Sequence, residues 1–249
     1  PGGFINADGT KKSISAPGVG NYVSMMKAVS LAEDLVGSHT IQQNSFVHAH
    51  GSSTPMNRTS EADLLTGIAQ HFNIKNWPLA AVKSYVGHPL APASGDQLMS
   101  ALGTFEHHIM PGIKTLDKVA DDVDQSILRI NKQDTDVSAN PMQVAFLNAK
   151  GFGGNNASAP ILSPASVETM LLKRHGASTM SDYEQKRQTT IKQAQAYDQK
   201  ALKGDFEVIY RFGETLLTEQ DLTLGEEISV TGFAKNISLK IKHGFSDMC

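Results

Sequence analysis

Two histidines and a lysine stand out in this chain: His50 in HAHGSSTP, then Lys83 and His88 in VKSYVGHPLAP. Further on, LNAKGFGGNNAS places a glycine-rich turn around Phe152. Imidazole and ammonium groups move protons and stabilise negative charge on oxygen, so acid–base and electrostatic chemistry lies within their reach. A metal or redox centre is not implied, because these histidines lack Cys or carboxylate companions at metal-ligand spacing. A single histidine after a strand is more often structural than catalytic. An ordered His, Lys-Ser, Gly-His and Gly-Phe-Gly-Gly series is hard to explain by packing. The one cysteine, Cys249, is the last residue, so chemistry that needs a buried cysteine nucleophile lacks it here.

The elements that position these residues read as alternating helices and strands over residues 1–165, the pattern of a mainly parallel α/β layer. Asn21 is expected to cap a helix from Tyr22 to Val36, with Gly37 as its stop. A strand over Ser45–His48 runs into the His50 loop. Ser60 is expected to cap a helix carrying Glu61 and Leu64 to Ala69. A second strand, Leu79–Val82, ends at Lys83, and a helix over Ala93–His108 follows the turn at Gly87–Pro92. Strands at Gln143–Leu147 and Ala157–Leu162 flank the glycine-rich turn. His50, Lys83 and Phe152 therefore all fall just past strand ends, where ligands collect in α/β proteins.

After Pro164 the composition changes. Ser181-Asp-Tyr-Glu184 has a capping-box pattern that opens a polar helix to about Lys203, stopped by Gly204. Phe206 to Phe212 alternate as a half-buried strand, and Ile228 to Ile241 hold one or two more. Residues 166–249 thus form a small α+β extension without evident chemistry.

Composition narrows the classes. With 249 residues and 40% apolar content the chain can bury a substantial core. A net charge of −3 with mixed signs gives no basic field for nucleic acid. No apolar run is long enough for a membrane span, and the start, PGGFINADGT, shows no signal peptide. A single cysteine fits a reducing compartment, so a cytoplasmic location is expected. Pro1 is explained either by methionine removal before a proline or by a place inside a longer protein, where Pro-Gly-Gly reads like the middle of a loop.

From about Ile14 to Leu162 the sequence resembles the C-terminal half of a β-ketoacyl-acyl carrier protein synthase, a condensing enzyme of the thiolase fold. HAHGSSTPMNRTSEAD resembles the family's HGTxTxxxDxxE segment, VKSYVGHPLAPASG its KSxxGHxxGAAG, and LNAKGFGGNNAS its NSFGFGGxNA. SISAPGVG and IMPGIKTLD match two further stretches in the same order. The resemblance implies half of a layered αβαβα architecture, and the extension after Pro164 points to a long-form synthase. It also implies a decarboxylative condensation of malonyl-acyl carrier protein with an acyl thioester in fatty-acid synthesis. On it, His50 and His88 stabilise the enolate, and Lys83, held by a pairing with Glu61, keeps an imidazole neutral. Phe152 acts as the gate with Gly151, Gly153 and Gly154, and Ser52 and Thr54 bind the pantetheine arm. No cofactor is implied beyond the phosphopantetheine that carries the substrates. The implied partners are acyl carrier protein, an N-terminal half bearing the cysteine, and a second copy in a homodimer.

Several departures from the family pattern are visible, among them Ala149 in place of the usual serine. Lys150 stands where phenylalanine is usual, so it either alters the pocket wall or points to solvent. Asn57 and Arg58 replace Gly-Asp, and Pro89 and Pro92 stiffen a segment normally built from small residues. A competing reading is a non-catalytic partner resembling chain-length factors, which lack the cysteine in a complete chain. Intact His50, Glu61, Lys83 and His88 weigh against it. A thiolase is disfavoured because its second cysteine is absent and Lys-Ser precedes Gly-His.

Overall fold

The computed structural model describes residues 19–52, 54–151, 154–205, 208, 212–214 and 216–240. The first compact unit extends to Asp182 and the second runs from Tyr183.

In the first unit, five strands form one sheet in the order β4-β2-β1-β6-β7. They are β1 (Ser45–His48), β2 (Trp77–Ala80), β4 (Leu128–Ile130), β6 (Val144–Gly151) and β7 (Asn155–Leu162). β1 lies at the centre, parallel to β2 and β6, and β4 joins β2 in parallel. Only β7 is antiparallel, as the return arm of a hairpin from β6. This is the mainly parallel α/β layer that the sequence led us to expect. All four residues of β1 are buried, as a central parallel strand covered on both faces requires.

Side chains alternate across the sheet, which separates two cores. On one face Val47, Val144 and Phe146 meet Met25 and Val29 of α1 (Val19–Val36) and Leu64, Leu65 and Ile68 of α3 (Pro55–His71). On the other, Phe46, Ala145 and Leu147 meet Ala101 and Phe105 of α5 (Ala93–His107). Trp77, fully buried, donates its indole N–H to Ser45 Oγ at 3.0 Å and so ties β2 to β1.

Several boundaries differ from expectation. Asn21 is not a cap but a buried residue inside α1, in line with Met25, Ala28, Val29 and Ala32 at helical spacing. Gly37 does end the helix, with φ of 86°. α3 starts earlier than Ser60: Thr54 is its N-cap, accepting from Asn57 N at 3.3 Å, and Pro55 occupies the first turn. β2 ends at Ala80, so Lys83 opens the single-turn α4 (Lys83–Val86) instead of closing a strand. The short elements α2 (Ser38–Gln43), β3 (Ile109–Met110), β4 and β5 (Thr135–Asp136) were not anticipated. Two- and three-residue strands are too brief to show a period.

The sixth helix, α6, spans Pro164–Leu202 and loses helical geometry at Gly176 (φ 78°, ψ 164°). Ser181 therefore caps nothing; it sits inside the helix, and Glu184 bonds forward to Arg187 and Gln188. The earlier start was masked by the lack of an apolar stripe, since only Ser166 is buried along the helix. In the second unit β8 (Leu222–Leu224), β9 (Glu227–Val230) and β10 (Ile237–Ser238) form an antiparallel sheet in the order β10-β9-β8. The strand expected over 206–212 lies mostly outside the described residues. No helix among the described residues is long and apolar enough to cross a membrane.

Candidate active site

Where β1, β2 and β6 end, four polar residues from different elements converge. The loop after β1 carries His50, and α3 turns Glu61 toward that loop. Burial leaves Glu61 only 4% exposed, yet its carboxylate accepts four hydrogen bonds. Main-chain N–H groups of His50 and Gly51 donate at 2.6 and 3.0 Å. The amides of Asn148 on β6 and Asn57 on α3 donate at 2.7 and 3.0 Å. A buried carboxylate is tolerated only with such donors, and here the two main-chain donors also fix the path of the His50 loop.

Lys83 reaches the same loop from the far side. Its ammonium donates to the main-chain carbonyl of His50. The direct ion pair expected between Glu61 and Lys83 is absent; the two charges instead grip the N–H and C=O of one residue. The reason is competition: the carboxylate of Glu61 is already filled by four nearer donors. Gln97 of α5, 1% exposed, donates to Ala49 O at 2.9 Å and Asn148 O at 3.1 Å, joining the ends of β1 and β6.

The two imidazoles face each other, with ring centroids 5.3 Å apart and planes at 80°. His50 Nδ1 accepts the main-chain N–H of Lys150 at 3.2 Å. His88 Nδ1 accepts the main-chain N–H of Leu90, also at 3.2 Å. An acceptor at Nδ1 leaves the proton of each neutral ring on Nε2. Burial lowers the pKa of His50 to about 4, with Lys83 pushing the same way and Glu61 opposing. Burial and then Lys83 also lower His88, and Lys83 itself is lowered by burial. Both rings are therefore neutral near pH 7, and each offers one N–H.

His50, Lys83, His88 and Lys150 border a cavity of about 300 Å³. A neighbouring cavity of about 510 Å³ is lined by Ser52, Lys83 and His88 and has an apolar wall that includes Leu65, Leu79 and Val119. Ser52 Oγ lies 3.4 Å from Thr54 Oγ1, but Thr54 is exposed and its hydroxyl is engaged in capping α3. Of the gate residues, Gly151 ends β6 and Gly154 has φ of 79°. Phe152 and Gly153 lie outside the described residues. Asn148, Asn57 and Gln97 had not been singled out for a role in the site. Asn57 lies one helical turn before Glu61, a spacing that could have flagged it.

The parallel sheet, the glycine hairpin and the paired histidines at the strand ends define the C-terminal half of a ketosynthase. Residues 2–117 match the family "Beta-ketoacyl synthase, C-terminal domain", and the chain belongs to the β-ketoacyl synthases. In particular it is similar to the beta-ketoacyl-[acyl-carrier-protein] synthase FabY of Pseudomonas aeruginosa, 54% identical over 98% of this chain and 39% of that protein. The crystal structure of that noncanonical ketosynthase superposes with a TM-score of 0.85, covering 99% of this chain and 38% of the other. A highly reducing polyketide synthase of Eupenicillium brefeldianum is 26% identical over 66% of this chain and 7% of its own length. The chain thus spans about two fifths of the FabY protein that it matches.

Proposed function

We propose that this chain supplies the decarboxylating half of a condensing enzyme that acts on malonyl-acyl carrier protein in fatty-acid synthesis. The observation that carries the proposal is the pair of neutral imidazoles, each with Nδ1 occupied by a main-chain N–H and Nε2–H free to donate. In the reaction the bond between the malonyl α-carbon and its carboxylate breaks and carbon dioxide leaves. The electron pair moves into an enolate whose thioester oxygen becomes negative. Nε2–H donors from His50 and His88 stabilise that oxygen without a formal cation. The α-carbon then attacks the acyl thioester held on a cysteine, which departs as thiolate. That cysteine is supplied by an N-terminal half outside this chain.

Lys83 acts electrostatically, favouring the neutral form of both rings while its ammonium holds the His50 carbonyl. Glu61 supports it from the opposite side of the same peptide. Ser52, on the wall of the larger cavity, takes the pantetheine arm, with Thr54 beside it. Phe152, with Gly151, Gly153 and Gly154, forms the gate; glycine at 154 suits it because φ of 79° disfavours a side chain. Acyl carrier protein is the partner that delivers the substrates, and the complete enzyme is a homodimer.

The test uses the complete enzyme with His50→Ala or His88→Ala, reading carbon dioxide release from malonyl-acyl carrier protein. Loss of one oxyanion donor lowers kcat by about 100-fold or more. Release at the parental rate would overturn the proposal.

A further inference from the structure

Lys150 enters the site twice, once through its main chain and once through its ammonium. Its N–H is the donor to His50 Nδ1. Its Nζ lies 3.2 Å from Asn57 Oδ1 and 3.3 Å from Ser60 Oγ, both on α3. The direction follows from strand alternation. Val144, Phe146 and Asn148 of β6 point to the α3 face, and Lys150 extends the same row by one step. Lys150 is therefore turned neither fully to solvent nor passively along the cavity wall. It is half-buried and donates to two neutral acceptors that are themselves almost fully buried.

We propose that Lys150 is a positioning residue for His50: its ammonium, docked on Asn57 and Ser60, clamps the end of β6 to α3 and keeps its own main-chain N–H on His50 Nδ1. Beyond Lys150, β6 has only Gly151, so Lys150 is the last residue of the strand whose side chain can tie it to α3. Without the clamp the N–H drifts from the ring, and His50 is free to carry its proton on Nδ1, which turns the donor away from the site. The ammonium also adds positive charge near His50, acting with Lys83 and His88 against Glu61 to favour the neutral ring. Asn57 serves both sides, since its Oδ1 accepts from Lys150 and its Nδ2 donates to Glu61. The clamp and the carboxylate that holds the His50 loop thus share one amide.

This inference rests on the decarboxylation assigned to His50, and the test separates the two. In the complete enzyme Lys150→Met and Lys150→Arg are compared with the parent. The readouts are the pH dependence of carbon dioxide release, KM for malonyl-acyl carrier protein, Tm, and the nitrogen NMR shifts of the His50 ring. Lys150→Met is expected to slow kcat about tenfold or more, the scale of a small misplacement, with little change in KM. Its acid limb moves to higher pH, because removing a cation favours the imidazolium among Lys83, Glu61 and His88. The ring shifts are expected to show a mixture of tautomers, and Lys150→Arg restores most of the rate. Parental kinetics and parental ring shifts in Lys150→Met would overturn the clamp. So would equal losses of rate and Tm in both variants, which would leave a packing role alone. If His50→Ala leaves carbon dioxide release intact, the catalytic reading falls, while the ring shifts of Lys150→Met still decide on the clamp.

Discussion

Glu61 Oε1 accepts the main-chain N–H of His50 at 2.6 Å, so a carboxylate on one helix sets where the imidazole of the preceding loop can stand. With its second oxygen on Gly51 N, the carboxylate closes a two-point hold on the loop. Asn57 and Asn148 complete its coordination and link helix, loop and strand through one residue.

Glu61→Gln keeps the shape and replaces one acceptor oxygen with an N–H2 group that faces donors. Hydrogen bonds to a charged group are worth about 1.5–3 kcal/mol each, and the misdirected amide leaves at least one buried donor unsatisfied. The expected loss of unfolding free energy is about 2–4 kcal/mol. Urea denaturation of the complete enzyme checks it, and a change under 1 kcal/mol would mean that the loop holds itself.

Acid sensitivity follows from two neutral buried histidines. Burial lowers the pKa of both His48 and His50 from 6.5 to about 4. Between those values the unfolded chain binds protons that the folded chain does not, so stability rises with pH through this window and falls on acidification from 6.5 toward 4. His48 is fully buried and neither ring nitrogen has a hydrogen-bond partner among the described residues. Its share at pH 4 amounts to about 3 kcal/mol by linkage. His48→Leu is expected to flatten the Tm-against-pH curve between 6.5 and 4 and to raise Tm at pH 5. An unchanged curve would place the acid lability elsewhere.

Much of this arrangement was legible because strand ends carry signals of their own. His50 and the 143–147 strand follow from short apolar runs that stop at polar or glycine residues, and β1 matches its expected limits. Lys83 and Glu61 were readable as candidates, but not their geometry, because opposite charges in sequence say nothing of the four donors that surround Glu61. Lys150 was visible only as an unusual residue; its direction depends on the pairing that places β6 beside β1 and under α3. The helix after Pro164 lacks any apolar stripe, so periodicity had nothing to detect.

Thr54 offers a clean separation between a structural and a binding hydroxyl. It caps α3, so Thr54→Ala is expected to cost about 1 kcal/mol in stability. Thr54→Ser keeps an oxygen able to accept from Asn57 N and is expected to stay within about 0.5 kcal/mol of the parent. If the hydroxyl also binds pantetheine, Thr54→Ala raises KM for the carrier-bound substrate and Thr54→Ser does not. A KM unchanged in Thr54→Ala limits the residue to its cap.

Gly112 does not line the cavity that the two histidines border, yet it supports the wall of the larger one. Gly112 precedes Ile113, which lines that cavity. Its N–H donates to Asp134 Oδ1 at 2.9 Å, and its carbonyl accepts the hydroxyl of Tyr85 from α4. A Cβ at this position would overlap the main-chain carbonyls of Lys132 and Gln133, which cannot swing aside as a flexible side chain would. Gly112→Ala must therefore push the 111–113 segment away from 132–134. That shift loosens the Tyr85 contact and moves the turn that carries Lys83. Overpacking of this kind costs about 1–3 kcal/mol, so a fall of that size is expected in urea denaturation. Because Lys83 sits on the displaced turn, kcat is expected to fall as well, and the same variant with parental stability would contradict the close approach.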